Sequence, residues 1–177
     1  MQTVIIENLR KIRKSIPKIG RTLRVQISVS GNNVSVSGNE LDEFISIKVL
    51  KAVDFGFDVE DALVLKNEDY VLEFVGVKAH SRRNNLKEVR ARLIGTNGKA
   101  KKTIEGLTGA VIVIQSNCIG IIVNSEHLDS AVQGIVSLIQ GAKHANVFSY
   151  LEKQNVVLRK ADDDLGLKEG ISSEIDE

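Results

Sequence analysis

One run near the middle of the chain has the residue types and spacing to hold an anionic polymer: Arg92-Leu93-Ile94-Gly95-Thr96-Asn97-Gly98-Lys99-Ala100-Lys101-Lys102. Two glycines three apart let the backbone turn sharply between two helical stretches. Lacking side chains, they also admit a sugar-phosphate backbone at close range. The second stretch starts at the loop, so its free amides and positive dipole end point at phosphate. Lys99, Lys101 and Lys102 add charge, and Arg90 and Arg92 lie on the basic approach. Ile94 on one wall and a strand residue such as Val113 on the other would form an apolar groove for unstacked bases. Thr96 and Asn97, the two middle residues, donate hydrogen bonds to phosphate, and no acid stands in the loop to repel it. The plain alternative is a helix-loop-helix corner with no ligand.

Other chemistry finds little support. His80, His127 and His144 are far apart and have no Cys or acid at ligand spacing, so no metal site is expected. His127 reads as a surface helix residue and His144 as a capping or packing one. Cys118, at a strand start, reads as a buried inert thiol. Asp162-Asp163-Asp164 reads as a solvated run. The sequence contains no Walker loop, no Ser-His-Asp order and no Cys-x-x-Cys. Neither a cofactor nor catalysis is expected.

The elements that must position the loop follow from periodicity. Thr3 to Ile6 reads as a short strand. Leu9, Ile12, Ile16 and Ile19 have helical spacing, with Pro17 interrupting or bounding the last turn and Gly20 as the stop. Leu23, Val25, Ile27 and Val29 alternate with polar residues, a strand that turns at Gly31-Asn32-Asn33 into Val34-Ser35-Val36. Glu40 to Val53 is helical, and Asp58 is placed to cap a short helix through Leu65. Tyr70 to Val77 is a strand and Lys78 to Lys87 a basic connection. Glu88 to Ile94 and Lys99 to Leu107 are helices on either side of the loop. Ala110 to Gln115 and Cys118 to Val123 form a hairpin, Ser125 caps a long helix through Gln140, and Ala145 to Lys153 is a last helix. The order recurs: an α+β architecture of three-stranded antiparallel sheets with helices on one face, twice. The expected division is a first unit at 1–56, a helical linker at 57–69, a second unit at 70–155, and an acidic, disordered tail at 156–177.

Composition fits this reading. The chain has 177 residues, a formal net charge of +1, 42% apolar residues and no Trp. Aliphatic side chains must therefore fill the core. One cysteine excludes an internal disulfide, and the longest apolar run, Ala110 to Ile114, is too short to span a membrane. A cytoplasmic protein is expected. The near-neutral total hides blocks: seven Lys/Arg and no acid from Arg10 to Arg24, and nine Lys/Arg against Glu88 alone from Lys78 to Lys102. Acidic stretches separate and follow them. That pattern suits either a polarised nucleic-acid-binding surface or ordinary solvated helix faces.

A glycine loop between helices, followed by strand, turn, strand and long helix, is the design of a type I KH module, whose Gly-x-x-Gly loop clamps single-stranded nucleic acid. RLIGTNGKAKKTIEGLTG, GIVSLIQGAKHANVFSYLEKQ and GFDVEDALVLKNEDYVLE together resemble the archaeal two-KH-domain proteins, relatives of the eukaryotic small-subunit ribosome assembly factor that partners the Nob endonuclease. The resemblance implies binding of single-stranded RNA near the 3′ end of 16S rRNA, and a role in ribosome assembly and pre-rRNA processing. It implies a Nob-type endonuclease and the alpha subunit of initiation factor two as protein partners. The family often has Lys or Arg inside the loop, where this chain has Thr96 and Asn97. The first unit departs further. After Val4-Ile5-Ile6 it has Glu7-Asn8-Leu9-Arg10, with no glycine, so it reads as a degenerate KH unit. Two alternatives stand beside an RNA-binding assembly factor. One is a KH subunit of a translation-initiation or RNA-degradation complex, and the other is a protein-interaction scaffold that has lost RNA.

Overall fold

The computed structural model describes residues 1–81 and 85–164. Part of the basic connection at 78–87 and the acidic end at 165–177 lie outside the described residues. The first unit runs β1 (Gln2–Ile5), α1 (Leu9–Leu23), β2 (Gln26–Ser30), β3 (Asn33–Ser37), α2 (Glu40–Phe55). Its sheet has the antiparallel order β1-β3-β2. The alternation of Val34 and Val36 with Ser35 and Ser37 puts the valines on the helix side, fully buried with Ile6, Ile12 and Ile19. The other sheet face is polar, and Thr3 and Ser35 hydroxyls meet across it at 3.1 Å.

Three local expectations shift here. The helix does not stop at Gly20. It runs through Pro17 to Leu23 and ends on Arg24 in the left-handed conformation, φ 56°. Leu23 therefore belongs to the helix rather than the strand, because its burial against the core holds the last turn. Asp58 precedes α3 (Val59–Leu63) without a side-chain capping bond, and a 3-10 turn, Val64–Lys66, completes that segment.

The second unit runs β4 (Tyr70–Gly76), α4 (Val77–His80), α5 (Leu86–Ile94), the loop, α6 (Lys99–Thr108), β5 (Val111–Gln115), β6 (Cys118–Asn124), α7 (Ser125–Gln140), α8 (His144–Asp164). Its sheet order, β4-β6-β5, repeats that of the first unit. The cap of α7 is Asn124, whose side chain accepts the Glu126 amide at 3.0 Å, and not Ser125. The last helix continues to Asp164, past the expected boundary at 155. Its first half is pinned by Val147 and Leu151, both buried. Leu151 lies over Gly134 of α7, where an added Cβ would be 3.2 Å from it. Asn155 and Leu158 then line a cavity with Tyr70 and Gly106 to Gly109, so the helix has a surface to follow beyond Lys153.

The two units share a core. One face of the second sheet, carrying Val75, Ile112, Ile119, Ile121 and Val123, packs on its own helices. On the other face Leu72, Ile122, Val111 and Val113 join the core of the first unit. Phe74, Gly120 and Val113 form one cross-strand row. A Cβ at Gly120 would lie 2.7 Å from both Phe55 and Phe57, so the missing side chain is the seat for those two rings. The segment at 57–69 is part of this contact, with Phe57, Ala62 and Leu65 buried.

Candidate nucleic-acid interface

Each residue of the loop has a conformation with a physical cause. Gly95 ends α5 at φ 73°, ψ 176°, a region closed to side-chain-bearing residues. A Cβ there would fall 2.6 Å from Ala100 Cβ and 2.8 Å from its amide nitrogen, so α5 and α6 meet this closely only across glycine. Asn97 is left-handed at φ 53°, a conformation that asparagine tolerates better than most. Gly98 is left-handed at φ 76°, and its amide bonds Gly95 O at 3.2 Å. Nothing stands within 4 Å of the position its Cβ would take. The first turn of α6 has no side-chain cap. Open space at Gly98 therefore lies at the start of α6, where the Lys99 amide turns back to Thr96 O and the positive end of the helix favours a phosphate.

Helical geometry sorts the expected site residues onto two sides. Val89 and Leu93 of α5 are buried, with Arg90 and Ile94 together on one flank, and Ile94 is 41% exposed. On α6 Lys101 is half-buried and bridged to Glu105 at 3.4 Å, while Lys102 is exposed. Thr96 and Asn97 are exposed at the crest. Lys99 turns the other way. With Arg92, Gly95, Thr96, His144 and Phe148 it lines a cavity of about 540 Å³ between α6 and α8.

Two expected contacts are corrected. Arg92 does not approach the groove. Its guanidinium donates to the carbonyls of Gly141 and Ala142, and His144 Nε2 lies 2.9 Å from Arg92 O. A charge on the approach helix looks available in sequence, but its face of α5 meets the turn after α7. Val113 is not a groove wall. Strand alternation puts it on the sheet face that packs against the first unit, beside Gly56 and Gly120. Ile112 and Ile114 point to the helix side.

Two acids near the loop, Glu105 and Asp61, carry no local signal of their tertiary contacts in the sequence. Glu105 Oε1 accepts the Ile112 amide at 2.8 Å, joining α6 to the free edge of β5. Asp61, on α3, is held above its ordinary carboxyl range by burial first, then by the charges of Asp58, Glu60 and Glu105, with Lys101 pulling the other way. Nearby, Glu60 pairs with Lys18 of α1. An i, i+4 Lys-Glu pair was legible in sequence; its reach to β5 was not.

The first unit offers no such loop. One helix, α1, replaces the helix-loop-helix. The amides at its approach are already filled, because Asp54 accepts from Asn8 at 2.8 Å and from Glu7 at 3.1 Å. Among the described residues, no group of His, Cys, Asp or Glu is placed to hold a metal ion, and no helix is long and apolar enough to cross a membrane. Cys118 is half-buried, and burial pushes its thiol up.

Antiparallel order β4-β6-β5, an inter-helix Gly-x-x-Gly corner and a C-terminal helix pair define a type I KH domain. Residues 71–156 match the family model for the second KH domain of PNO1, described as a eukaryotic type KH-domain (KH-domain type I), and this part of the chain is a KH domain of the PNO1/Dim2 type. The KH domain-containing protein MJ0443 of Methanocaldococcus jannaschii is 29% identical over 181 residues, covering 98% of this chain and 77% of that protein. The pre-rRNA-processing protein pno1 of Aspergillus fumigatus is 34% identical over 108 residues, 59% of this chain and 43% of its own length. The chain thus spans less than half the length of that relative. Dim2p from Pyrococcus horikoshii superposes with a TM-score of 0.77 at 26% identity, over 86% of this chain and 98% of that one. The same protein in an a/eIF2alpha-aDim2p-rRNA complex gives 0.78 at 24%, over 88% and 94%.

Proposed function

We propose that this protein clamps a single-stranded segment of small-subunit rRNA, near the 16S rRNA 3′ end, on the loop from Gly95 to Lys99, and acts in ribosome assembly and pre-rRNA processing. The observation that carries this reading is the open, left-handed Gly98 facing the uncapped first turn of α6. A phosphate sits in that space with Asn97, Thr96 and Lys102 around it, and the bases lie beside Ile94. The names of the relatives, pre-rRNA-processing proteins and an rRNA-bound Dim2p, support the choice of target. The protein works by binding, in the cytoplasm, and supplies no catalytic chemistry. A Nob-type endonuclease is the partner that would cut the RNA it holds.

A second reading, a scaffold in translation initiation, is favoured by the a/eIF2alpha chain in the complex of the Pyrococcus neighbour. It also suits a first unit whose loop is absent. Fluorescence anisotropy separates the two. A labelled RNA of the 16S 3′ end binds more tightly than a scrambled strand if the first reading holds, and the double variant Thr96→Asp, Asn97→Asp loses it. Equal binding to both strands removes the target. No binding by the parent protein at moderate salt removes the clamp and leaves the scaffold.

A further inference from the structure

The cavity of about 540 Å³ between α6 and α8, to which Lys99 turns, has its own chemical character. Its charged side chains are Arg92 and Lys99, with His144 beside them, and no Asp or Glu lines it. Two helices begin at its wall, α6 at Lys99 and α8 at His144, and the positive end of each adds to the field there. The Arg92 guanidinium is only partly engaged. Its Nη2 donates to the carbonyls of Gly141 and Ala142, while its Nε is buried with no acceptor among the described residues. Among those residues no acid pairs with Lys99 either. The rest of the wall is apolar, built from Ala91, Ala100 and the half-buried ring of Phe148, whose centroid is 5.9 Å from that of His144.

Cations over an apolar floor select an anion that carries carbon beside its charge. A bare phosphate would leave Phe148 and the two alanines uncovered. An Asp or Glu side chain next to an apolar one satisfies both parts of the wall. The carboxylate accepts from Lys99 and from the guanidinium edge of Arg92, and the neighbouring side chain takes the Phe148 ring out of water. The cavity falls within the range of about 300–1,000 Å³ that buries a ligand, room for a pair of side chains rather than for the face of a domain. We propose that this cavity docks a segment of a protein partner that presents an acidic residue beside an apolar one. Lys99 then recognises protein, while Gly98, with nothing within 4 Å of its Cβ position, and the exposed Lys102 stay open to RNA.

The test is titration of the isotope-labelled protein with the tetrapeptide acetyl-Ser-Glu-Leu-Ser-amide, followed by the amide chemical shifts of Thr103 and Phe148, two residues of the cavity wall. One docked pair of side chains should bind with a dissociation constant of about 1 mM. The same peptide with Gln in place of Glu binds about tenfold more weakly, because a charge-assisted hydrogen bond becomes a neutral one. Lys99 is exposed, so its variants fold. Lys99→Glu loses about tenfold or more, and Lys99→Arg, which keeps the charge, binds as the parent does. No shift at Thr103 and Phe148 up to about 10 mM peptide, equal affinity for the Gln peptide, or parental binding by Lys99→Glu overturns the proposal. Displacement of the peptide by inorganic phosphate at equal concentration overturns it in favour of a free-anion site. Displacement by the RNA decamer rA10 overturns it in favour of RNA. Failure of the clamp leaves a different signature, with RNA affinity unchanged in the double variant Thr96→Asp, Asn97→Asp.

Discussion

The two loop glycines are glycines for different reasons, and replacing each by alanine separates them. Gly95 sits at φ 73°, ψ 176°, where a side-chain-bearing residue costs about 1–3 kcal/mol. Its new methyl would also meet Ala100 Cβ at 2.6 Å and Ala100 N at 2.8 Å. Backbone cannot move aside as a flexible side chain does, so α5 and α6 must separate, and the total is about 3 kcal/mol or more. Gly98 sits at φ 76°, ψ 10°, where alanine costs about 1 kcal/mol, and its methyl meets nothing within 4 Å. For a chain of this size each kcal/mol lowers the melting temperature by about 2–4 °C. Gly98→Ala should therefore melt about 2–4 °C below the parent, and Gly95→Ala at least about 6 °C below it. Binding should rank differently from stability. The Gly98→Ala methyl occupies the space assigned to phosphate, so this well-folded variant loses about tenfold in RNA affinity, or about 1.4 kcal/mol. Thermal melts by circular dichroism and anisotropy on the same samples measure both. Equal melting shifts would refute the packing argument at Gly95. Parental RNA affinity in Gly98→Ala would refute the approach of phosphate to Gly98.

Arg92→Ala should lower the melting temperature, because the carbonyls of Gly141 and Ala142 lose their donor, while RNA affinity at a temperature where the variant is folded stays parental. Lys102→Ala should do the reverse, leaving the melt unchanged and reducing the slope of log affinity against log salt by about 0.7, as loss of one phosphate contact does. Gly120→Leu should drive Phe55 and Phe57 off the second sheet, and limited proteolysis should then cut within 57–69, where the parent resists. Asp61 is held above its ordinary range by burial and by its acidic neighbours, so the folded state holds that proton more tightly than the unfolded chain does. The resulting stabilisation is complete below the unfolded value and is lost as pH rises through the folded one. Asp61→Asn should therefore melt higher than the parent at pH 7, with the difference shrinking towards about pH 4.

Much of this protein was legible in one dimension because its signals are local. Alternation in Val34-Ser35-Val36 sets the inner face of the first sheet. Helical spacing in Leu128, Val132, Ile135 and Ile139 marks the stripe of α7, and two glycines three apart mark a corner that only glycine can turn. These depend on backbone dihedrals and on side chains within one turn or one strand, so the residue order specifies them. The face a side chain meets in another element is a different matter. Arg92 reads as a phosphate contact until α7 ends beside it. Val113 reads as a groove wall until the first unit covers that face of the sheet. Glu105 reads as half of a surface ion pair until the edge of β5 arrives 2.8 Å away. The length of α8 was likewise decided by the surface that Asn155 and Leu158 reach rather than by composition. The sequence alone determined that the chain carries a KH loop and two three-stranded sheets. Only the packed structure decided which charges near the loop are taken up by protein partners, because partners separated by tens of residues are set by how the layers stack, and no local periodicity records that.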